Sequence, residues 1–86
     1  MSTASEQRGL WKLMLKLPAM RGRLQMLSAR NPTLLSLCDA FDEASSTLDR
    51  LRRNGSDDLK LIAEYETLCS DLEGEVIDIC MRAKMI

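Results

Sequence analysis

A short turn signal in the second half of the chain constrains the fold more than any other feature. Asn54, Gly55 and Ser56 are followed by Asp57 and Asp58, and apolar residues recur at helical spacing on both sides of this segment. Glycine adopts the left-handed conformation that ends many helices, serine offers an oxygen to the first amides of the next helix, and aspartates favour the positive end of its dipole. Because so short a linker turns the chain back on itself, the sequence predicts an antiparallel helical hairpin.

The apolar periodicity defines the two helices of this hairpin. Helix B is predicted from about residue 32 to about residue 54, with Asn31 as its cap and Pro32 at the first position, where a missing N–H costs little. Its inward residues are Leu34, Leu37, Phe41, Ala44, Leu48 and Leu51, with Cys38 at the margin. Helix C is predicted from about residue 57 to about residue 85, and its inward residues are Ile62, Tyr65, Cys69, Leu72, Val76 and Ile79.

The first thirty residues predict a basic amphipathic helix, helix A. Thr3 and Glu6 have the spacing of a capping box, which marks its start. Pro18 interrupts the pattern, but the apolar stripe keeps its phase on both sides of the proline. We therefore predict one kinked helix from about residue 6 to about residue 29 rather than two helices. The stripe consists of Leu10, Leu13, Met14, Leu17, Met20, Leu24 and Leu27.

Together these elements predict an all-α, three-helix protein in which helix A packs against the hairpin of helices B and C. The 86 residues suffice for one domain, 1–86, with a single small core. Only three residues are aromatic, so leucine, isoleucine, methionine and alanine must build that core, which suits helices. No apolar run approaches the roughly 20 residues of a membrane-spanning helix.

The charge is unevenly divided along the chain, although the net charge is only -1. Residues 1–30 carry six basic residues and one acidic residue, whereas the remainder carries six basic and twelve acidic residues. Either the basic segment binds an external anion, or the two parts neutralise each other within one fold. We favour the second interpretation, because neighbouring helices of opposite charge pair without needing a partner.

The residues that usually carry chemistry are scarce. The chain has no histidine, its glycines form no phosphate-binding loop, and its carboxylates fall on the sides turned away from the apolar stripes. Cys38, Cys69 and Cys80 form no C-x-x-C pair, and we interpret them as small core residues. An odd number of cysteines and no secretory signal indicate a reducing, cytoplasmic location. The sequence therefore predicts no enzyme, no metal site, no cofactor and no small-molecule substrate.

Helix A carries the predicted partner-binding surface. Trp11 and Leu15 lie beside a basic face, a combination that fits a groove on another protein and, as the alternative, an anionic membrane surface. Nucleic acid ranks third, because the chain as a whole is slightly acidic and contains no recognisable reading helix. The candidate partner-binding residues are Arg8, Trp11, Lys12, Leu15, Lys16 and Arg23.

Helix C carries a second prediction, self-association. Its apolar stripe is broader than one neighbour requires, and a turn centred on Gly55 would place Pro32 opposite Asp78 and leave the end of helix C overhanging. Either helix A or a second copy of the protein would cover that end. The candidate self-association residues are Val76, Ile79 and Cys80. The sequence thus predicts a non-enzymatic interaction or regulatory module that binds a protein partner or itself.

Overall fold

A computed structural model describes residues 3–55 and 57–83, and all regular structure within these ranges is helical. The described elements are α1 (Ala4–Lys16), a 3₁₀ turn (Pro18–Met20), α2 (Arg21–Ser28), α3 (Pro32–Arg53) and α4 (Leu59–Arg82). The all-α class is confirmed, whereas the number of helices differs from the prediction. None of the described helices combines the length and the apolar character needed to cross a membrane.

The extra helix comes from a break at Pro18, so the prediction of one kinked helix A was wrong. Helix α1 ends at Lys16, and Leu17 has φ -121° and ψ 66°, outside the helical region. The proline ring disfavours helical geometry at the preceding residue and supplies no N–H to continue the hydrogen-bond ladder. The chain makes one 3₁₀ turn there and then starts α2, which contains eight residues.

The predicted helix ends are formed by local hydrogen bonds. The Thr3 hydroxyl accepts from the Glu6 amide, and the Glu6 carboxylate accepts from the Thr3 amide, which completes the capping box. The Asn31 side chain accepts from the Leu34 amide at 3.0 Å and caps α3 as predicted.

The linker between α3 and α4 contains the expected left-handed glycine. Gly55 has φ +64°, and it is the single described residue with positive φ. Asp58 caps α4 by accepting from the Leu61 amide at 3.0 Å, so this helix begins two residues later than predicted. Ser56, the predicted cap, and Met85, the predicted end of helix C, lie outside the described residues.

One core joins all four helices. Every helix contributes to the largest fully buried side chains, which are Leu13, Leu24, Leu34, Val76, Cys38 and Cys80. The apolar stripe predicted for helix A is buried or partly buried along its whole length, although the helix is broken. Cys38, which the periodicity placed at the margin of helix B, lies fully inside this core because α1 crosses directly over it.

Helices α3 and α4 contact each other near both of their ends. The Arg52 guanidinium, near the end of α3, contacts the Glu66 carboxylate of α4 at 2.6 Å. At the other end, Thr33 of α3 lines the same surface groove as Arg82 of α4. The overhang of helix C predicted from the turn is therefore not present up to Arg82.

Candidate interaction surfaces

The basic residues of α1 meet a buried carboxylate of α3. Arg8 Nε lies 3.3 Å from Asp42 Oδ2, and Lys12 Nζ lies 2.9 Å from Oδ1. Lys12 also donates to the hydroxyls of Ser45 and Ser46 at 2.9 and 3.0 Å. Because the Asp42 side chain is only 6% exposed, its charge is compensated mainly by these two cations rather than by water.

The contact between Lys12 and Asp42 is an ion pair without a well-formed hydrogen bond. Asp42 Oδ1 is buried and accepts no hydrogen bond within the described part of the chain, although the ammonium group is close to it. The pair is therefore held by charge, with the two serine hydroxyls fixing the position of the ammonium. This arrangement attaches α1 to α3.

Lys16 and Arg23 also contact the acidic part of the chain or its backbone. Lys16 Nζ lies 3.6 Å from Glu73 Oε2 and 5.9 Å from the centroid of the Phe41 ring. Arg23 donates to the carbonyl oxygen of Cys80 at 3.2 Å, near the end of α4. The four predicted partner-binding cations thus have contacts within their own chain. Their binding to a partner stays a prediction.

Trp11 and Leu15, the apolar members of the same predicted surface, point outward. Trp11 is 54% exposed and Leu15, one turn further along α1, is 63% exposed. The Arg21 guanidinium lies 5.9 Å from the centroid of the indole ring. Within the predicted set, Trp11 and Leu15 therefore face solvent and Lys12 is largely covered. Arg8 and Lys16 keep more than half of their side-chain surface exposed despite their contacts.

The three predicted self-association residues occupy different environments. Val76 and Cys80 are fully buried in the core of the single chain. Ile79 is partly exposed and lines a groove beside Leu37. Self-association through α4 stays a prediction, and of these three residues only Ile79 has surface to contribute without rearrangement of the core.

Two shallow pockets lie between α3 and α4, and a third lies on α4 and shares Tyr65 and Leu68 with one of them; we treat the three as one surface. We call it the outer groove. Helix α3 contributes Thr33, Leu37, Ala40, Glu43 and Ala44. Helix α4 contributes Leu61, Glu64, Tyr65, Leu68, Leu72, Glu75, Asp78, Ile79 and Arg82.

The outer groove has an apolar floor and an acidic rim. Ala44 and Leu72 are buried in the floor, and Leu68 is 44% exposed on the α4 side. The rim carries the exposed carboxylates Glu43, Glu64, Glu75 and Asp78. Among the described residues, the cation of the rim is Arg82, which lies 3.4 Å from Asp78.

Sequence reasoning missed the outer groove as a site, although part of its signal was present. The broad stripe of helix C was recognised, and the outer part of it runs through Leu61, Tyr65, Leu68 and Leu72 at helical spacing. The alanines that complete the groove on α3 carry no distinctive pattern. Only the packing of α1 on the opposite side of α3 shows which half of each stripe is left uncovered.

The cysteine thiols belong to the core. Cys38, Cys69 and Cys80 are all buried and unpaired. Burial raises the pKa of the Cys38 thiol to about 11, with a smaller contribution from the Glu6 charge, and burial also raises the pKa of Cys69 and Cys80. The thiols are therefore protonated and weakly nucleophilic at neutral pH. Within residues 3–55 and 57–83, no cluster of three metal-ligating side chains occurs.

Comparison with known proteins adds no functional information. No protein-family model, no curated protein and no solved structure gives a significant match to this chain.

Proposed function

We propose that this protein is a non-enzymatic interaction module that binds an amphipathic α-helix of a protein partner in the outer groove. In this proposal α3 and α4 form an antiparallel hairpin that supplies both walls of the site. Helix α1 packs on the far side of α3 and supports it through the contacts with Asp42. The chemistry that the site offers is recognition rather than reaction.

The uncovered apolar groove is the observation that carries this proposal. A groove between two helices accepts the side chains of a third helix at intervals of three and four residues. Small side chains at Ala40 and Ala44 leave space in the floor, and Tyr65 and Leu68 provide apolar contact on the α4 side. Burial of such surface is the main favourable term in helix association.

A neutral model helix tests the proposal. The probe is an 18-residue peptide with leucines on one face and glutamines and alanines elsewhere, added to the ¹⁵N-labelled full chain. We expect the amide shifts to change along the outer groove, at Ala40, Tyr65 and Leu68, while those of α1 change little. The dissociation constant comes from the same titration.

Two leucine variants provide the matched control. Leu68→Glu places a charge in the groove, whereas Leu59→Glu makes the same change at a residue that is 75% exposed and lies outside the groove lining. We expect Leu68→Glu to weaken binding of the peptide at least tenfold and Leu59→Glu to leave it unchanged. Equal binding by both variants, or peptide shifts confined to another surface, would contradict the proposal.

Binding to an anionic membrane is the second candidate function, because Trp11 and Leu15 are exposed beside Arg21. An indole, an aliphatic side chain and a guanidinium on one surface suit the headgroup region of anionic lipids. The test is co-sedimentation with phosphatidylglycerol vesicles and with phosphatidylcholine vesicles. Leu15→Glu and Arg21→Glu should abolish binding to the anionic vesicles. Lys12→Glu is a poor probe, since it would also disrupt the ion pair with Asp42.

A further inference from the structure

We infer that the helix bound in the outer groove is basic on both flanks and belongs to a different protein rather than to a second copy of this chain. This inference rests on the proposed function and adds the chemistry of the partner. Apolar contact alone would accept any amphipathic helix. The charge of the rim makes the groove favour amphipathic helices whose flanks carry the opposite charge.

The acidic residues stand on both walls of the groove. Glu43 lies on the α3 wall, whereas Glu64, Glu75 and Asp78 lie on the α4 wall. All four are exposed, so each can meet a side chain at the flank of a bound helix without being buried first. Because Arg82 and Asp78 pair with each other, the net negative charge of the rim comes from Glu43, Glu64 and Glu75.

The distance between the carboxylates on α4 indicates how long the bound helix must be. Glu64 and Glu75 are three helical turns apart on one face, which corresponds to roughly 16 Å at 1.5 Å per residue. A bound helix therefore needs about three turns, with a lysine or arginine near each end of its apolar stripe. A further cation on the other flank would face Glu43 on the α3 wall.

A second copy of the chain does not meet these requirements. A symmetric dimer through the outer groove would place the same acidic rim against itself, and like charges across an interface disfavour association. The basic helix of the chain, α1, already packs within its own chain. Its apolar residues Leu10 and Leu13 are buried in the core, and its Lys12 is paired with Asp42.

Three peptides that differ only in their flanks separate this inference from the proposed function. They share one leucine face of 18 residues and carry lysine, glutamine or glutamate at the flanking positions. Binding to the full chain is measured by fluorescence anisotropy at about 20 and 200 mM salt. We expect the lysine peptide to bind at least about tenfold more tightly than the glutamine peptide, the glutamate peptide to bind most weakly, and the difference to shrink at high salt.

Charge-reversal variants test whether the rim carboxylates cause the preference for the lysine peptide. Glu43→Lys combined with Glu75→Lys should remove the preference for the lysine peptide. Asp49→Lys combined with Asp57→Lys changes the net charge equally, at exposed residues of α3 and of the α3–α4 linker outside the groove lining, and should keep most of the preference.

The outcomes separate cleanly. If no peptide binds, the proposed function fails, and the inference fails with it. If the glutamine peptide binds and the lysine peptide binds no better, or if both pairs of reversals act equally, the groove binds helices but the basic partner is wrong. A dimer in sedimentation analysis that Leu68→Glu dissociates and Leu59→Glu does not would assign the groove to a second copy and overturn the inference.

Discussion

At the scale of single residues, Gly9 controls how closely α1 approaches α3. A Cβ atom at this position would overlap the carbonyl oxygen of Cys38, so only glycine permits the observed contact. Gly74 is the contrasting case, since a Cβ there would meet nothing within 4 Å. Gly74 lies on an exposed face of α4. The importance of Gly9 was not predicted, because nothing in the local sequence separates the two glycines.

We predict opposite effects for the same substitution at these two glycines. Gly9→Ala should lower the free energy of unfolding by about 2 kcal/mol, because the backbones of α1 and α3 must move apart. Gly74→Ala should raise it by about 0.5–1 kcal/mol, since alanine is the better helix former and has space. Urea denaturation followed by circular dichroism measures both. A stable Gly9→Ala variant would show that the contact is looser than described.

A second residue-scale prediction concerns the ion pair between Lys12 and Asp42. Asp42→Asn should cost on the order of 1–3 kcal/mol, because it leaves Lys12 beside a neutral amide next to the core. The cost stays below that of a fully buried pair, since the Lys12 side chain is one-third exposed.

A double-mutant cycle isolates that interaction. Asp42→Asn, Lys12→Met and the double variant are compared by urea denaturation at low and high salt. We expect a coupling energy of about 1 kcal/mol that changes little with salt, because the carboxylate is buried. Additive effects of the two substitutions would mean that the pair does not attach α1 to α3.

At the scale of elements, two short segments determine where the helices stop. Pro18 prevents α1 from continuing and starts the 3₁₀ turn. Gly55, with φ +64°, lies in the linker that follows α3. Both signals act within a few residues and were visible in the sequence. The sequence did not show whether Pro18 would bend one helix or divide it, because that outcome depends on how Leu17 and Met20 pack on the core.

The glycine of the α3–α4 linker gives a prediction at this scale. Gly55→Val should cost on the order of 1 kcal/mol, because a β-branched residue resists positive φ. Gly55→Asn is the control and should cost less, since asparagine tolerates the left-handed region. The midpoints of thermal unfolding of the two variants measure the difference. Equal midpoints would show that the linker adopts another conformation in solution.

At the scale of the whole molecule, the N-terminal segment is part of the core rather than an appendage. Helices α1 and α2 contribute Leu10, Leu13, Met14 and Leu24 to the buried cluster. Each such side chain contributes roughly 1.5–3 kcal/mol when buried. Their sum is comparable with the whole stability of a small domain.

We therefore predict that a chain beginning at Asn31 does not fold into a stable monomer. In reducing buffer it should elute as aggregates in size exclusion with light scattering and lose most of its helical circular dichroism, whereas the full chain should give a single sharp species. A well-folded, monodisperse truncated chain would contradict this prediction and show that α3 and α4 are stable without α1.

Much of this protein was determined by the sequence alone, because the signals involved are local. Helical periodicity, the caps at Thr3 and Asn31, and the left-handed Gly55 each depend on residues within one or two turns. The difference in charge between residues 1–30 and the remaining residues was also visible in the sequence. These features are enough to predict the all-α class and most of the buried stripe.

The tertiary structure decided which side of each helix stayed exposed. Arg8 meets Asp42 across 34 residues of sequence, and Arg23 meets the Cys80 carbonyl across 57. Periodicity shows on which face of its helix a side chain lies, but it does not show which other helix packs against that face. The order and register of the helices come from packing of the entire core. The outer groove exists because α1 covers the other side of α3, and only the assembled fold determines that choice.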